Sequence, residues 1–273
     1  MDMTLRWFGT GYDSVTLEQI RQIPGVTGII TTLYGTKPGE VWKAEDIRAL
    51  KKEVEDAGLT IKGIESVNIH DAIKVGTPER DKYIENYITT LERLGQADIH
   101  MVCYNFMPVF DWTRTDLAKR RPDGSTVLAY DNKVIAGLSL DEMFSSMQKK
   151  SNGFVLPGWE PERIARNKEL FEMYKDVDGE KLFRNLAYFL QAIQPVCEKY
   201  DIRMHPDDPA WSVFGLPRII TGKENLLRLI HMVDAPFNGV TLCTGSLGSN
   251  PDNDIPDIIH ALKGRIHFAH VRN

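Results

Sequence analysis

The chain has 273 residues, of which 42% are hydrophobic and 26% are charged. This composition is close to the average for globular domains and excludes extensive disorder. The net charge of -5 gives no basic face of the kind that nucleic-acid-binding domains carry. We therefore expect a small-molecule partner and no nucleic acid.

Only three cysteines occur, Cys103, Cys197 and Cys243, and none forms a CxxC pair. This pattern predicts neither a disulfide framework nor a zinc knuckle, and it is typical of a reducing cytoplasm. The N-terminal stretch MDMTLRWFGTGYDS lacks the apolar core of a signal peptide, and no apolar run reaches the roughly 18 residues that span a bilayer. We therefore expect a cytoplasmic protein without a membrane segment.

The first 106 residues alternate short apolar runs with amphipathic segments. The run TLRWF precedes a helical pattern, TLEQIRQI, that opens at a plausible Thr16 cap. A second helical pattern ends near Gly58, a residue common just after helices. The remaining segments of this part, in chain order, are VTGIITTLY, KAEDIRALKKEVEDAGL, TIKGIESVNI, ERDKYIENYITTLERLG and IHMVCYNF.

The alternation breaks after Phe106 and returns in the last third of the chain. Residues 107–159 mix turn signals such as PDG and PG with one short helical patch, which predicts a long insertion. Helical patterns resume from Pro161. They are followed by the strand patterns IRMH, GVTLCTGS and RIHFAHV, with a helical pattern between each pair.

Seven strand patterns that alternate with helices predict an α/β fold with a parallel sheet. We expect a (β/α)8 TIM barrel with the insertion after strand 4, in a single domain over 1–273. The eighth βα unit is expected to be missing from this chain, since seven strands would leave two open edges. An open doubly wound sheet is the alternative, but no GxGxxG turn follows the first strand.

Three candidate metal ligands end successive predicted strands: His205, Cys243 and His270. In a TIM barrel the active site lies at the carboxyl ends of the strands, so these side chains are expected to converge. Imidazole and thiolate suit a divalent transition metal, and three protein ligands leave a position for a further ligand or substrate. Each residue taken alone has a simpler structural explanation, such as a buried apolar cysteine.

Several neighbours of these residues remain ambiguous. His267 is expected to pack against helices, although a register shift of one residue would exchange it with His270. Asp207 and Asp208 are interpreted as turn residues before Pro209. The remaining histidines on strand starts and helices are interpreted as structural: His100, His231 and His260.

Other polar residues are candidates for substrate contact. Glu65 is either such a residue or a paired carboxylate inside the barrel, and His70-Asp71 follows the same strand. In the insertion, Trp112 and Arg114 combine an aromatic ring with a fork-shaped donor that suits a carboxylate. A solvated loop charge is the alternative for Arg114.

Five motifs together resemble the mannonate dehydratase family: RWFG, VCYNFMPVFDWTR, HPDDP, CTGS and HFAHVRN. The similarity runs along essentially the whole chain, and the second motif is the most specific. The resemblance implies a xylose-isomerase-like barrel that converts D-mannonate to 2-keto-3-deoxy-D-gluconate and water in hexuronate (glucuronate) breakdown. It also implies a homo-oligomer, such as a dimer.

The resemblance further implies a Mn²⁺ or Fe²⁺ ion held by His205, Cys243, His270 and an aspartate. That aspartate, a catalytic histidine and a catalytic tyrosine are expected beyond Asn273. Arg272, Trp112 and Arg114 are expected to bind the sugar acid. Two other functions stay open: a metal-dependent sugar isomerase or epimerase, and a non-catalytic sugar-acid-binding protein.

Overall fold

The computed structural model describes residues 2–136 and 167–272. The chain divides into two compact units, one of Met1–Phe106 with Val177–Asn273 and one of Met107–Asp176. The predicted insertion, 107–159, falls within the second unit, and its residues 137–159 lie outside the described residues, as does the start of the helical pattern at Pro161. The single-domain assignment stays a prediction.

The strands of the first unit are those that the sequence alternation predicts. In chain order they are β1 Met3–Arg6, β2 Val26–Thr31, β3 Thr60–Glu65, β4 Met101–Tyr104, β7 Arg203–Pro206, β8 Val240–Cys243 and β9 Ile266–His270. The second unit contains β5 Asp116–Arg120 and β6 Thr126–Ala129. The helices are α1 Leu17–Arg21, α2 Ala44–Asp56, α3 Asp71–Val75, α4 Arg80–Gln96, α5 Asn132–Ala136, α6 Asn167–Tyr174, α7 Gly179–Lys199, α8 Lys223–Met232, α9 Thr244–Gly248 and α10 Ile255–Ala261.

All strand pairs of the first unit are parallel. One sheet has the order β1-β2-β3-β4-β7, and β8 pairs with β9. Backbone hydrogen bonds link β7 to the chain before β8: the Met204 N–H donates to the Phe237 carbonyl at 2.7 Å, and the Gly239 N–H donates to the Met204 carbonyl at 3.0 Å. The predicted parallel α/β architecture is therefore confirmed, and it brings the carboxyl ends of all these strands to one face.

Helices α1, α2, α4, α6, α7, α8 and α10 form where the sequence predicts them, whereas the short helices α3 and α9 were not predicted. The predicted helices have identifiable local causes. Thr16 caps α1 in a capping box with Gln19, which satisfies amide groups that a helix start leaves unpaired. Helix α2 buries Ile47 and Val54 on one face. Gly58 follows it with φ at +76°, in the left-handed region that favours glycine.

The core between sheet and helices is centred on Phe189 of α7, which is fully buried. Its ring makes edge contacts with Tyr87 of α4 at 5.0 Å and with Tyr104 of β4 at 6.1 Å between ring centroids. Aromatic edge contacts add to the stabilisation that burial supplies. Strand β4, which packs against this core, pairs with β7, the strand that carries His205.

The second unit contains a β-hairpin that the sequence did not predict. Strands β5 and β6 pair antiparallel, and the Thr115 N–H donates to the Ala129 carbonyl at 2.9 Å. The predicted PDG turn does connect them: Asp123 Oδ1 accepts from the Ser125 N–H at 2.9 Å, and Gly124 has φ of +84°. Neither DLAKR nor TVLA shows a regular alternation of polar and apolar residues, so the sequence gives no strand signal here.

Across 2–136 and 167–272, no helix combines the length and the apolar character needed to cross a membrane.

Candidate metal centre

His205, the third residue of β7, is 1% exposed. Its Nδ1 lies 2.6 Å from the Thr241 hydroxyl of β8, which fixes the ring. Burial lowers the pKa of His205 to about 3, so the imidazole is neutral at physiological pH. Its Nε2 is buried and has no hydrogen-bond partner among the described residues. A buried ring nitrogen without a partner is unusual, which makes it a candidate metal donor.

Cys243 ends β8 and serves as the N-cap of α9. Its Sγ accepts a hydrogen bond from the Ser246 N–H at 3.3 Å and another from Arg272 Nε at 3.3 Å. The Arg272 side chain lies across Gly245, where a Cβ atom would come within 2.7 Å of the arginine Cγ. A glycine at this position therefore lets the guanidinium reach the sulfur.

His270 ends β9 in register with Cys243 of β8. Its Nε2 is 3.2 Å from Glu65 Oε2, with hydrogen-bond geometry, and its Nδ1 is 3.2 Å from Asp207 Oδ2 as an ion pair. Burial opposes a charge on the ring, but contacts with Asp207, Cys243 and Glu65 outweigh it and raise the pKa of His270 to about 12. The groups around this ring therefore favour a positive charge at this position.

The donor atoms of Asp207, Cys243 and His270 lie within 4.8 Å of one another. They come from the carboxyl ends of β7, β8 and β9, so the parallel order of the sheet produces their convergence. A carboxylate, a thiolate and an imidazole form a donor set suited to a divalent transition ion. The structure therefore brings together two of the three predicted ligands, with Asp207 as the third member and His205 outside this group.

Sequence reasoning interpreted both aspartates of HPDDP as turn residues, and the structure separates them. Asp207 belongs to the three-residue cluster. Asp208 is 2% exposed, and its Oδ1 accepts from the Phe106 N–H at 3.2 Å. Burial raises its pKa to about 7 against the opposing charge of Arg218. The signal for Asp207 was its position two residues beyond His205, directly after a buried strand.

Glu65, at the end of β3, is the paired carboxylate that one sequence interpretation expected. Besides His270, it contacts Arg6 of β1, whose Nη1 is 3.5 Å from Glu65 Oε2. Burial opposes ionisation, but His270 and Arg6 outweigh it and lower the pKa of Glu65. Arg6 Nη2 in turn donates to the Tyr34 hydroxyl at 3.4 Å. This pairing reaches from β1 through β3 to β9.

The other histidines lie in structural positions. His267 is half-buried, and burial together with the Arg203 charge lowers its pKa to about 4. The rings of Phe268 and His270 are 4.8 Å apart, as expected for alternate residues on one face of β9. His70 caps α3 through its Nδ1, which accepts from the Ala72 N–H at 3.1 Å. His231 and His260 are exposed residues of α8 and α10.

Trp112 and Arg114 lie in the second unit. The Arg114 guanidinium is 4.9 Å from the centre of the Trp112 ring, and its Nη1 donates to the Thr113 carbonyl at 3.0 Å. The predicted pairing of an aromatic ring with a fork-shaped donor is therefore present. The part of these two residues in substrate binding stays a prediction.

The parallel barrel strands with this cluster at their carboxyl ends define a class: xylose-isomerase-like TIM-barrel proteins. Two solved structures have this fold at low sequence identity. A D-psicose 3-epimerase from Clostridium cellulolyticum H10 gives a TM-score of 0.58 at 12% identity, over 99% of this chain and 72% of that one. The 3-keto-D-glucoside 4-epimerase YcjR from E. coli gives a TM-score of 0.56 at 10% identity, over 100% of this chain and 80% of that one. These likenesses show the fold alone.

The chain belongs to the D-mannonate dehydratase (UxuA) family, whose model matches residues 1–273. The mannonate dehydratase of Brachyspira hyodysenteriae is 70% identical over 275 residues, which are 100% of this chain and 78% of that protein. The mannonate dehydratase of Thermotoga maritima is 56% identical over 277 residues, which cover 100% of this chain and 77% of that protein. The crystal structure of mannonate dehydratase from Streptococcus suis serotype2 gives a TM-score of 0.88 at 44% identity and covers 100% of this chain and 73% of that one.

Proposed function

We propose that this protein is a metal-dependent dehydratase that removes water from D-mannonate and yields 2-keto-3-deoxy-D-gluconate. The observation that supports this most directly is the cluster of Asp207, Cys243 and His270 at the carboxyl ends of three barrel strands, in a member of this family. A hydro-lyase acting on a sugar acid must remove a proton next to a carboxylate and expel a hydroxyl group. Both changes place negative charge where cationic groups can stabilise it.

We infer that His205, Cys243 and His270 are metal ligands, and that Asp207 is a further donor. The donor set fits Mn²⁺ or Fe²⁺. The Nε2 of buried His205, which has no hydrogen-bond partner within 2–136 and 167–272, supports the inclusion of His205. If His205 donates from Nδ1 to Thr241, its Nε2 carries the lone pair that a metal requires. When bound, such an ion supplies a Lewis acid for the oxygens of the substrate.

The residues of the chain contribute binding and orientation. Arg272 carries a fixed positive charge beside Cys243, where it stabilises negative charge on the sulfur and on an anionic substrate. We propose that Arg272, Trp112 and Arg114 bind the carboxylate or hydroxyl groups of the sugar acid. Fixed donors of this kind act by holding the reacting atoms in one geometry.

The test is keto-acid formation from D-mannonate by the purified natural full-length protein, first after chelation and then after Mn²⁺ or Fe²⁺ is added back. We expect activity to disappear with the chelator and to return with one of these ions. A folded, metal-loaded protein that forms no keto acid would contradict the proposal. Turnover of an aldose or ketose without loss of water would instead support a sugar isomerase or epimerase, and binding of mannonate without turnover would support a non-catalytic sugar-acid-binding protein.

We also propose that the protein acts in the cytoplasm as a homo-oligomer, such as a dimer. All three cysteines are free and buried, which is compatible with a reducing compartment. Sedimentation equilibrium of the purified protein measures the number of subunits directly.

A further inference from the structure

Glu65 and His270 form a contact that the proposed reaction does not itself require. Glu65 is at the end of β3 and His270 is at the end of β9, 205 residues apart in the chain. The side chain of Glu65 is 23% exposed and that of His270 is 19% exposed, so water reaches this pair only in part. A contact between such distant, half-buried groups needs both strands in place and fixes the ring relative to the barrel wall.

The two nitrogens of His270 face different partners. Nε2 is directed at Glu65, whereas Nδ1 is directed at Asp207, which belongs with His270 to the group of candidate ligands. Histidines that bind metal ions commonly donate their other ring N–H to a carboxylate, which fixes both the tautomer and the ring orientation. Glu65 stands where such a carboxylate is needed.

Glu65 is itself held by Arg6. The guanidinium Nη1 lies 3.5 Å from the same Oε2 that accepts from His270, and Nη2 donates to the Tyr34 hydroxyl at 3.4 Å. The Arg6 guanidinium also lies 5.0 Å from the centre of the Phe8 ring. Arg6 is therefore fixed from two sides, and the oxygen of Glu65 that meets His270 has a defined position.

We propose that Glu65 is a positioning residue that accepts a hydrogen bond from His270 Nε2 and thereby directs Nδ1 towards the metal, with Arg6 fixing the carboxylate. This inference rests on the proposed metal-dependent function, and it extends it to a residue outside the ligand set. Loss of Glu65 lets the His270 ring rotate and removes the preference for the tautomer with a proton on Nε2. The metal is then bound less tightly, although every ligand remains.

The test compares Mn²⁺ binding to metal-free wild type, Glu65→Ala and Glu65→Gln by calorimetric titration. We expect Glu65→Ala to weaken binding by about 10- to 100-fold. Glu65→Gln keeps an acceptor oxygen of similar size, so its affinity is expected to lie between those of wild type and Glu65→Ala. Glu55→Gln is the matched control, because Glu55 of α2 makes a surface ion pair with Lys51.

Circular dichroism melting confirms that each variant is folded, and Glu65→Gln guards against loss of folding in the alanine variant. Affinity within about twofold of wild type in folded Glu65→Ala would overturn the proposal. A glutamine variant as weak as the alanine variant would also overturn it, because loss of charge alone would then explain the effect. Mn²⁺ binding is measured without substrate. The role of Glu65 can therefore be decided even if the protein proves not to be a dehydratase.

Discussion

Polar residues occur at both ends of the barrel strands, but they are used differently at the two ends. At the carboxyl ends, His270 contacts Glu65 and Asp207, which come from distant strands. At the amino ends, polar side chains contact backbone carbonyls and exposed carboxylates of the connecting segments. His100 contacts Asp98 and the Tyr200 carbonyl, and Arg265 donates to the Ala235 and Asn238 carbonyls.

The difference shows that residue type alone does not assign a role. Both His100 and His270 pair with carboxylates, yet the side chain of His100 is 44% exposed and that of His270 is 19% exposed. Water screens the first pair, whereas the second lies beside a buried thiol and further carboxylates. The end of the strand on which a histidine lies therefore decides whether its pairing is local or part of a site.

The largest effect is expected at the carboxyl ends, from Cys243→Ser. Serine still caps α9, so the fold is retained, but a hydroxyl is a much poorer ligand for a transition ion than a thiolate. We expect metal affinity and keto-acid formation to fall by more than about 100-fold, beyond the effect of losing a group that only orients a ligand. The measurements are Mn²⁺ titration and turnover of D-mannonate.

Cys197→Ala is the matched control, since Cys197 is buried in α7 and burial raises the pKa of its thiol. It is expected to bind Mn²⁺ as wild type does. Unchanged Mn²⁺ affinity in Cys243→Ser would show that the Cys243 sulfur is not a metal ligand.

An intermediate effect is expected from Arg114→Ala in the second unit. If Arg114 binds the substrate carboxylate, loss of a charged hydrogen bond raises the KM for D-mannonate by about 10- to 100-fold. Mn²⁺ affinity is expected to stay unchanged, which distinguishes this residue from the ligand set. Arg120→Ala, an exposed position of β5, is the control within the same unit. A KM equal to that of wild type would eliminate Arg114 as a substrate ligand.

The smallest effect is expected at the amino ends, from His100→Gln. The hydrogen bond with Asp98 raises the pKa of His100 above its usual 6.5. Its contribution to stability is therefore fully present below the unfolded pKa and is lost as the pH rises through the folded pKa.

Urea unfolding of wild type and His100→Gln at several pH values tests this. We expect a slightly lower midpoint for the variant at acidic pH, no difference at alkaline pH, and wild-type keto-acid formation throughout. A variant that loses activity would show that the two ends of the barrel are not separate in function.

Much of the site was predictable because it depends on strand ends. Cys243 and His270 close apolar runs, and a parallel sheet places such ends on one face. Asp207 was interpreted as a turn residue, since aspartates near a proline are common in turns, and only its position directly after the strand distinguishes it from Asp208. The hairpin β5–β6 was missed because its strands are short and show no regular alternation of polar and apolar residues, so their pairing depends on contacts rather than on periodicity.

The sequence by itself determined the order of strands and helices, the parallel barrel class and the resemblance to the dehydratase family, since hydrophobic periodicity and contiguous motifs are local properties of the chain. Only the tertiary structure decided which groups meet. It placed Asp207 against His270, Arg272 against Cys243, and Glu65 on the far nitrogen of His270. These contacts join residues up to 205 positions apart in the chain. Whether their side chains meet depends on how the strands curve and pack, which no local sequence pattern encodes.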